Sequence, residues 1–232
     1  MLLRSLLLPA TLLLAAPAFA QGQDAGSNPA NLPDFHGVAV SHGIHAEVKP
    51  GPKSARLEGS PEDLARVKLE VKDGVLTTQV ERSGFFSKGL KNVRLYVTSP
   101  RVESVAASGG SHVDAEATHV DTFEAAASGG SEIQLSGVDA KKLDVEASGG
   151  SHASLKGRAG ELEIEASGGS VIEARKVQAE SLDLTASGGT HVEAAPEKSL
   201  SGSLSGGSVL QSFTKPAKVQ VNSSGGSGVQ YE

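Results

Sequence analysis

The chain has 232 residues, with 28 Gly, no Cys, 3% aromatic residues and a formal net charge of −6. The missing thiol excludes disulfides, cysteine-ligated zinc and a cysteine nucleophile, and the glycines lack the G-X-Y period of collagen. The acidic balance disfavours nucleic-acid binding, because such proteins present basic patches to phosphates. With so few aromatic rings, the core must consist mainly of small aliphatic side chains.

The N-terminus predicts a secretory signal peptide over residues 1–20. Arg4 supplies the positive charge, residues 6–16 are mainly apolar, and Ala18-Phe19-Ala20 has the small-x-small pattern of a cleavage site. The alternative, a membrane anchor, is disfavoured because the apolar segment is too short to span a bilayer. Residues 21–33 are polar and rich in Gly, Asn and Pro, which predicts a flexible leader. We therefore expect an exported protein, periplasmic, secreted or at the cell surface, with no transmembrane anchor after cleavage.

Residues 34–100 predict an N-terminal β cap region, built from a sheet and a hairpin with one short helix. Alternating apolar residues indicate strands at 35–40, 42–48, 54–58, 67–71, 75–80 and 93–97. Ser60 followed by Pro61, with an acid at Asp63, is typical of a helix start. Asp73-Gly74 between two alternating segments predicts a tight hairpin.

Residues 101–232 contain an internal repeat that is marked by Ser-Gly-Gly. Its period is near 20 residues, which is typical of a solenoid. Apolar residues alternate around each motif, as in Leu143, Val145 and Ala147 before Ser148, and this alternation excludes a Gly/Ser linker. The predicted structural turn residues are the seven glycine pairs: Gly109, Gly110, Gly129, Gly130, Gly149, Gly150, Gly168, Gly169, Gly188, Gly189, Gly206, Gly207, Gly225 and Gly226.

The repeat predicts an all-β protein, a right-handed parallel β-helix of about seven coils. Residues 34–232 should form one continuous domain. Each coil has two strands joined at Ser-Gly-Gly and a return segment such as 136–141. Neighbouring coils should lie about 4.8 Å apart, and the crossover rule favours the right hand. Glycine suits a position where the chain bends sharply and adjacent coils approach closely.

Several sequence features also occur together in a known family. They are Phe35-His36-Gly37-Val38, Gly43-Ile44, Asp73-Gly74-Val75-Leu76, the strand at 93–97 and the repeated Ala-Ser-Gly-Gly-Ser. Over about residues 35–232 the chain resembles the bacterial exported proteins of the putative auto-transporter adhesin, head GIN domain family. The resemblance implies a β-helix whose early strands cap the first coil, and it implies no known ligand or catalytic residue. His45 replaces the Asn of the Gly-Ile-Asn triplet after which the family is named.

One polar column recurs four residues after each Ser of the motif. It reads His112, Glu132, His152, Val171, His191, Val209 and Gly228. Its imidazoles lie in every second coil and hence about 10 Å apart, too far to share a zinc ion with bonds of about 2 Å. A His/Glu pair on adjacent coils, such as His112 with Glu132 or Glu132 with His152, is close enough. We interpret these histidines as ordinary surface residues.

A second polar column is acidic and predicts weak Ca²⁺ binding. Its candidate ligands are Glu124, Asp144, Glu146, Glu163 and Glu165. Like charges that stack one coil apart repel each other, and Ca²⁺ favours oxygen ligands. The alternative is a solvated face whose charge is neutralised by nearby Lys and Arg. The sequence predicts no confident metal site and no cofactor.

The sequence therefore predicts a non-catalytic, adhesin-like binding or structural module of the bacterial cell envelope. Its flat repetitive face would contact an envelope polysaccharide or a protein partner. A carbohydrate-active enzyme is disfavoured, because no long loop walls a cleft and neither Gly-x-Ser-x-Gly nor His-Glu-x-x-His occurs. The last coil predicts a homodimer that forms by strand pairing and buries Val229 and Tyr231.

Overall fold

The computed structural model describes residues 32–81 and 89–232. The predicted signal peptide, 1–20, and residues 21–31 of the predicted leader lie outside the described residues. Within the described residues, one short helix, α1 (Pro61–Leu64), accompanies sixteen strands. The strands before the repeat are β1 (Gly37–Val40), β2 (His45–Pro50), β3 (Ser54–Glu58), β4 (Val67–Lys72), β5 (Val75–Val80) and β6 (Arg94–Ser99). Those of the repeat are β7 (Ser104–Ala107), β8 (His112–Glu116), β9 (His119–Ala127), β10 (Glu132–Ala147), β11 (His152–Ala166), β12 (Val171–Ala186), β13 (His191–Leu204), β14 (Val209–Ser212), β15 (Lys218–Ser223) and β16 (Gly228–Tyr231).

The repeat forms an all-β solenoid of about six turns, which confirms the predicted fold class. Seven Ser-Gly-Gly motifs enclose six full repeats, one fewer than the number of coils expected. Strands β10 to β13 stack in parallel, and Leu143 lies opposite Leu162, which lies opposite Leu182. The expected return segment is itself part of the strand: β10 continues from Glu132 to Ala147 with one register shift between Leu135 and Val138.

The glycine pairs turn the chain through left-handed backbone. All fourteen predicted turn glycines have positive φ, for example 66° at Gly149 and 75° at Gly150. A Cβ on Gly149 would lie 3.1 Å from the backbone nitrogen of Gly129 in the preceding coil, whereas one on Gly150 would meet nothing within 4 Å. The first glycine of the pair is therefore required by both its φ and the stacking of coils, and the second by its φ alone.

The Ser or Thr after the glycine pair is buried in the first six motifs and half-buried in the last, a role that the alternation pattern does not reveal. The hydroxyl oxygen of Ser131 lies 2.7 Å from the carbonyl oxygen of Ser128 and 2.8 Å from that of Ala107 in the preceding coil. It also accepts a hydrogen bond from the backbone N–H of Ser128 at 3.0 Å. The side chain therefore satisfies backbone groups inside the turn that would otherwise be buried without partners.

The N-terminal strands continue the parallel ladder of the repeat. β1 pairs with β7 and β2 pairs with β8, both in parallel, and the turn between β1 and β2 has positive φ at His42 and Gly43. Farther out, β5 pairs with β1 and β6 with β2, again in parallel. A distinct N-terminal cap is not clearly separated from the solenoid, so the division at residue 100 stays a prediction.

The local signals of the N-terminal region are confirmed. β4 and β5 form the antiparallel hairpin around Asp73-Gly74, and both turn residues have positive φ. Helix α1 begins after Ser60, whose hydroxyl oxygen accepts a hydrogen bond from the backbone N–H of Asp63. β3 pairs antiparallel with β6, so antiparallel strands flank the parallel ladder at this end.

The core is a column of stacked aliphatic side chains that also contains two buried phenylalanine rings, Phe35 and Phe123. Phe123 is fully buried and lies in register with Leu143, in the same stack as Leu162 and Leu182. On the opposite side of the coil, Ile133 stacks with smaller residues such as Ala153. The small residues that composition predicted therefore do fill the interior.

Within the described residues, each of the last two strands, β15 and β16, has a hydrogen-bonded neighbour along one edge only. β15 pairs with β13, and β16 pairs with β14. Val219 and Tyr231 are each 43% exposed, whereas Leu200, the partner of Val219 in register, is 1% exposed. The homodimer through this coil stays a prediction. Within the described ranges, no helix has the length and apolar character needed to cross a membrane.

Candidate functional site

The strands that follow the turns present a polar face to solvent. We define the polar face by two columns of outward residues on β2, β8 and the first parts of β10 to β13: His45, His112, Glu132, His152, Val171 and His191 in the first, and Glu47, Asp114, Gln134, Ser154, Glu173 and Glu193 in the second. Strict parallel register places each residue beside its counterpart one coil away. Chemically similar side chains therefore repeat along the face at the spacing of adjacent strands.

Histidines and carboxylates lie in close contact on this face. His112 Nδ1 lies 3.2 Å from an oxygen of Glu132 on the next coil, as expected for an adjacent His/Glu pair. His152 Nε2 lies 3.6 Å from a carboxylate oxygen of Glu173, which belongs to the second column and lies on the next coil. The other expected pair, Glu132 with His152, is in register but forms no ion pair that the structure shows.

The structure corrects one inference about the histidine column. His45 lies directly beside His112, with stacked rings whose centroids are 4.5 Å apart, so two imidazoles do occur on adjacent coils. Both Nε2 atoms contact the same carboxylate, that of Asp114, at 3.0 Å from His45 and 3.2 Å from His112. The signal was present in the sequence, because His45 follows Ser41 by four residues just as His112 follows Ser108.

A shallow depression of about 590 Å³ lies along the same face. Its walls carry both signs of charge, with basic groups at Lys49, Arg94 and Lys156 and acidic groups that include Glu116. Gln134 lies between these groups and is exposed. The depression therefore offers hydrogen-bond donors and acceptors from several successive coils to one elongated ligand.

The acidic residues predicted to bind Ca²⁺ do come together. Asp144 is in register with Glu124 on one side and Glu163 on the other, and Glu146 is in register with Glu165. All five line one depression of about 290 Å³.

Lys142 occupies part of this acidic column. Its ammonium nitrogen lies 2.6 Å from Glu163 and 2.9 Å from Asp144. Hydrogen bonds to Glu163 and then to Asp144 raise the pKa of Lys142 well above its usual value, so the group stays charged. Because one ammonium group already pairs with two of the five candidate ligands, Ca²⁺ would have to displace it. The Ca²⁺ site stays a prediction.

A third surface runs along the Ser-Gly-Gly turns as a groove of about 520 Å³. Its lining consists mainly of Ala, Ser and Thr, such as Ala126, Ala147 and Ser148, with Glu146 and Glu165 at one side. Its polar groups are hydroxyls and two carboxylates, and among the described residues no basic side chain lines it, so it lacks the mixed charge of the polar face.

The model of the family putative auto-transporter adhesin, head GIN domain, matches residues 34–216. The chain belongs to this family. Two solved structures with the same fold are putative adhesins, one from Bacteroides fragilis (15% identity, TM-score 0.79, 87% of this chain and 94% of that chain) and one from Parabacteroides merdae (19% identity, TM-score 0.68, 87% and 93%). A third, from Parabacteroides distasonis, is a putative lipid binding protein (11% identity, TM-score 0.65, 87% and 94%). No curated protein sequence matches this chain.

Membership in the head GIN domain family confirms the resemblance seen in the sequence. At these identities, the solved structures support the solenoid fold alone. In this member of the family, the residue after Gly43-Ile44 is His45, and its ring belongs to the cluster on the polar face. Among the three surfaces, the polar face is the best candidate site, because it combines mixed charge, repeated hydrogen-bonding groups and a depression.

Proposed function

We propose that this chain is a non-catalytic, adhesin-like binding module of the bacterial cell envelope and that the polar face is its binding surface. The observation that carries the proposal is the depression that contains Lys49, Arg94, Gln134 and Lys156. Parallel register repeats polar side chains along it, so an extended polymer can form similar contacts with successive coils. An envelope polysaccharide or an extended protein segment has the matching repetition.

The family supports this proposal, since its description is that of an adhesin. An adhesin acts outside the cytoplasm, which agrees with export through the predicted signal peptide at 1–20. The partner would lie across several coils, and many weak hydrogen bonds to exposed groups would give the affinity.

Binding assays with a double variant test the proposal. Fluorescently labelled protein would be applied to an array of envelope polysaccharides, and immobilised protein would be used to retain partners from an envelope extract. Gln134→Ala combined with Lys156→Ala removes two hydrogen-bonding side chains, each worth about 0.5–1.5 kcal/mol, so affinity should fall about 5- to 150-fold.

Lys198→Ala is the matched control. Lys198 is exposed, pairs with Glu180 at 2.6 Å and lies outside the depression, so its loss should leave affinity unchanged. Retention of a polysaccharide or of a protein decides which class of polymer binds. Equal binding by the double variant and the control would place the site elsewhere and refute the proposal.

A further inference from the structure

Two imidazoles and one carboxylate converge at one end of the polar face. His45 on β2 and His112 on β8 are partners in register, and Asp114 lies two residues beyond His112 on the same side of β8. All three side chains are partly buried, with 39% of His45, 24% of His112 and 41% of Asp114 exposed. The three potential ligand atoms lie within 4.8 Å of one another.

Carboxylates lie beside both nitrogens of the His112 ring. Nδ1 lies 3.2 Å from an oxygen of Glu132, and Nε2 lies 3.2 Å from an oxygen of Asp114. Because a neutral imidazole carries a single N–H, only one of these nitrogens can donate to its carboxylate, and the other has a lone pair that can bind a metal ion.

The spacing of the ligand atoms suits a transition-metal ion. A tetrahedral centre with bonds of about 2.0–2.1 Å separates its ligand atoms by about 3.3–3.4 Å. The oxygens of Asp114 lie 3.0 Å from Nε2 of His45 and 3.2 Å from Nε2 of His112, close to that separation. The two stacked rings, whose planes differ by 25°, would rotate so that both Nε2 atoms face one ion. Imidazole nitrogens with one carboxylate oxygen favour zinc, copper or nickel over Ca²⁺ or Mg²⁺.

We propose that His45, His112 and Asp114 bind one divalent transition-metal ion, with zinc as the probe. Glu132 acts as the outer partner that orients His112, since a metal-bound histidine commonly donates its other N–H to a carboxylate. Three protein ligands leave a fourth position, which water or a group of a bound partner can fill. The site is independent of whether the polar face binds a polymer.

Calorimetric titration of the untagged full chain with ZnCl₂ tests the site. The wild type should bind one zinc ion per chain, and its thermal unfolding midpoint should rise with zinc concentration. His45→Asn and Asp114→Asn each remove one ligand atom and should weaken binding at least 10-fold. Glu132→Gln should weaken it about 10–100-fold, as is typical of an outer partner.

His152→Asn is the matched control. His152 occupies the same column, but its neighbours in register are Glu132 and Val171, so it has no second imidazole beside it. This variant should bind zinc as the wild type does. Absence of heat on zinc addition, or equal weakening by His152→Asn and His45→Asn, would overturn the proposal. Circular dichroism of each variant separates loss of the site from loss of the fold.

Discussion

Gly157 is predicted to be a position where a single methyl group disrupts the stacking of coils. It lies in β11 beside Val138 of β10, with φ of 142°, a region that only glycine adopts readily. A Cβ there would lie 2.2 Å from the carbonyl oxygen and 2.6 Å from the nitrogen of Val138. Both contacts are to backbone, so neither can be relieved by a rotamer change.

The expected cost of Gly157→Ala follows from these two effects. Unfavourable backbone geometry costs about 1–3 kcal/mol. Overpacking costs about 1–3 kcal/mol. The free energy of unfolding should therefore fall by about 2–6 kcal/mol. Gly150→Ala is the matched control, because Gly150 also has positive φ but its added methyl group would meet nothing within 4 Å. The control should lose about 1–2 kcal/mol, the usual penalty of left-handed backbone.

Urea unfolding followed by circular dichroism measures both losses. The urea concentration at the unfolding midpoint should decrease clearly more for Gly157→Ala than for Gly150→Ala. The slope of the unfolding free energy against urea concentration should stay similar in both variants. If the two midpoints decrease equally, close stacking at Gly157 contributes nothing and the steric reasoning is refuted.

Two further changes test the core and the acidic column. Phe123→Ala should lower the free energy of unfolding by about 3–5 kcal/mol, because Phe123 is fully buried and the Leu143 beside it cannot fill the space; a loss below about 1 kcal/mol in urea unfolding would contradict this. Lys142→Gln removes the ammonium group between Asp144 and Glu163, so CaCl₂ should raise the thermal unfolding midpoint of the variant more than that of the wild type. Equal midpoints with and without CaCl₂ in the variant would argue against Ca²⁺ binding at this column.

Much of the fold could be predicted because its signals are local and repeated. The spacing of Ser-Gly-Gly predicted the solenoid, and alternation around Ser148 predicted which residues are buried. Ser60 and Asp73-Gly74 marked a helix start and a hairpin, since caps and tight turns depend on a few adjacent residues. Strand continuity through 136–141 was not predicted, because Gly137 in this segment is equally consistent with a turn and with a bend in a continuous strand.

The candidate site was less predictable, because it depends on which coils are neighbours. The acidic column followed from the regular period, but the position of Lys142 between Asp144 and Glu163 depends on side-chain direction. His45 lies outside the Ser-Gly-Gly repeat, so period counting alone did not place it beside His112.

By itself, the sequence determined the architecture: glycine pairs at a near-constant spacing require the chain to turn, and alternation requires the coils to stack. Only the tertiary structure decided how the strands before the first Ser-Gly-Gly coil pair with it. It places β2 against β8, so His45 contacts Asp114, which lies 69 positions later in the sequence. The physical reason is that backbone pairing between distant strands sets the register, and register decides which side chains share a site.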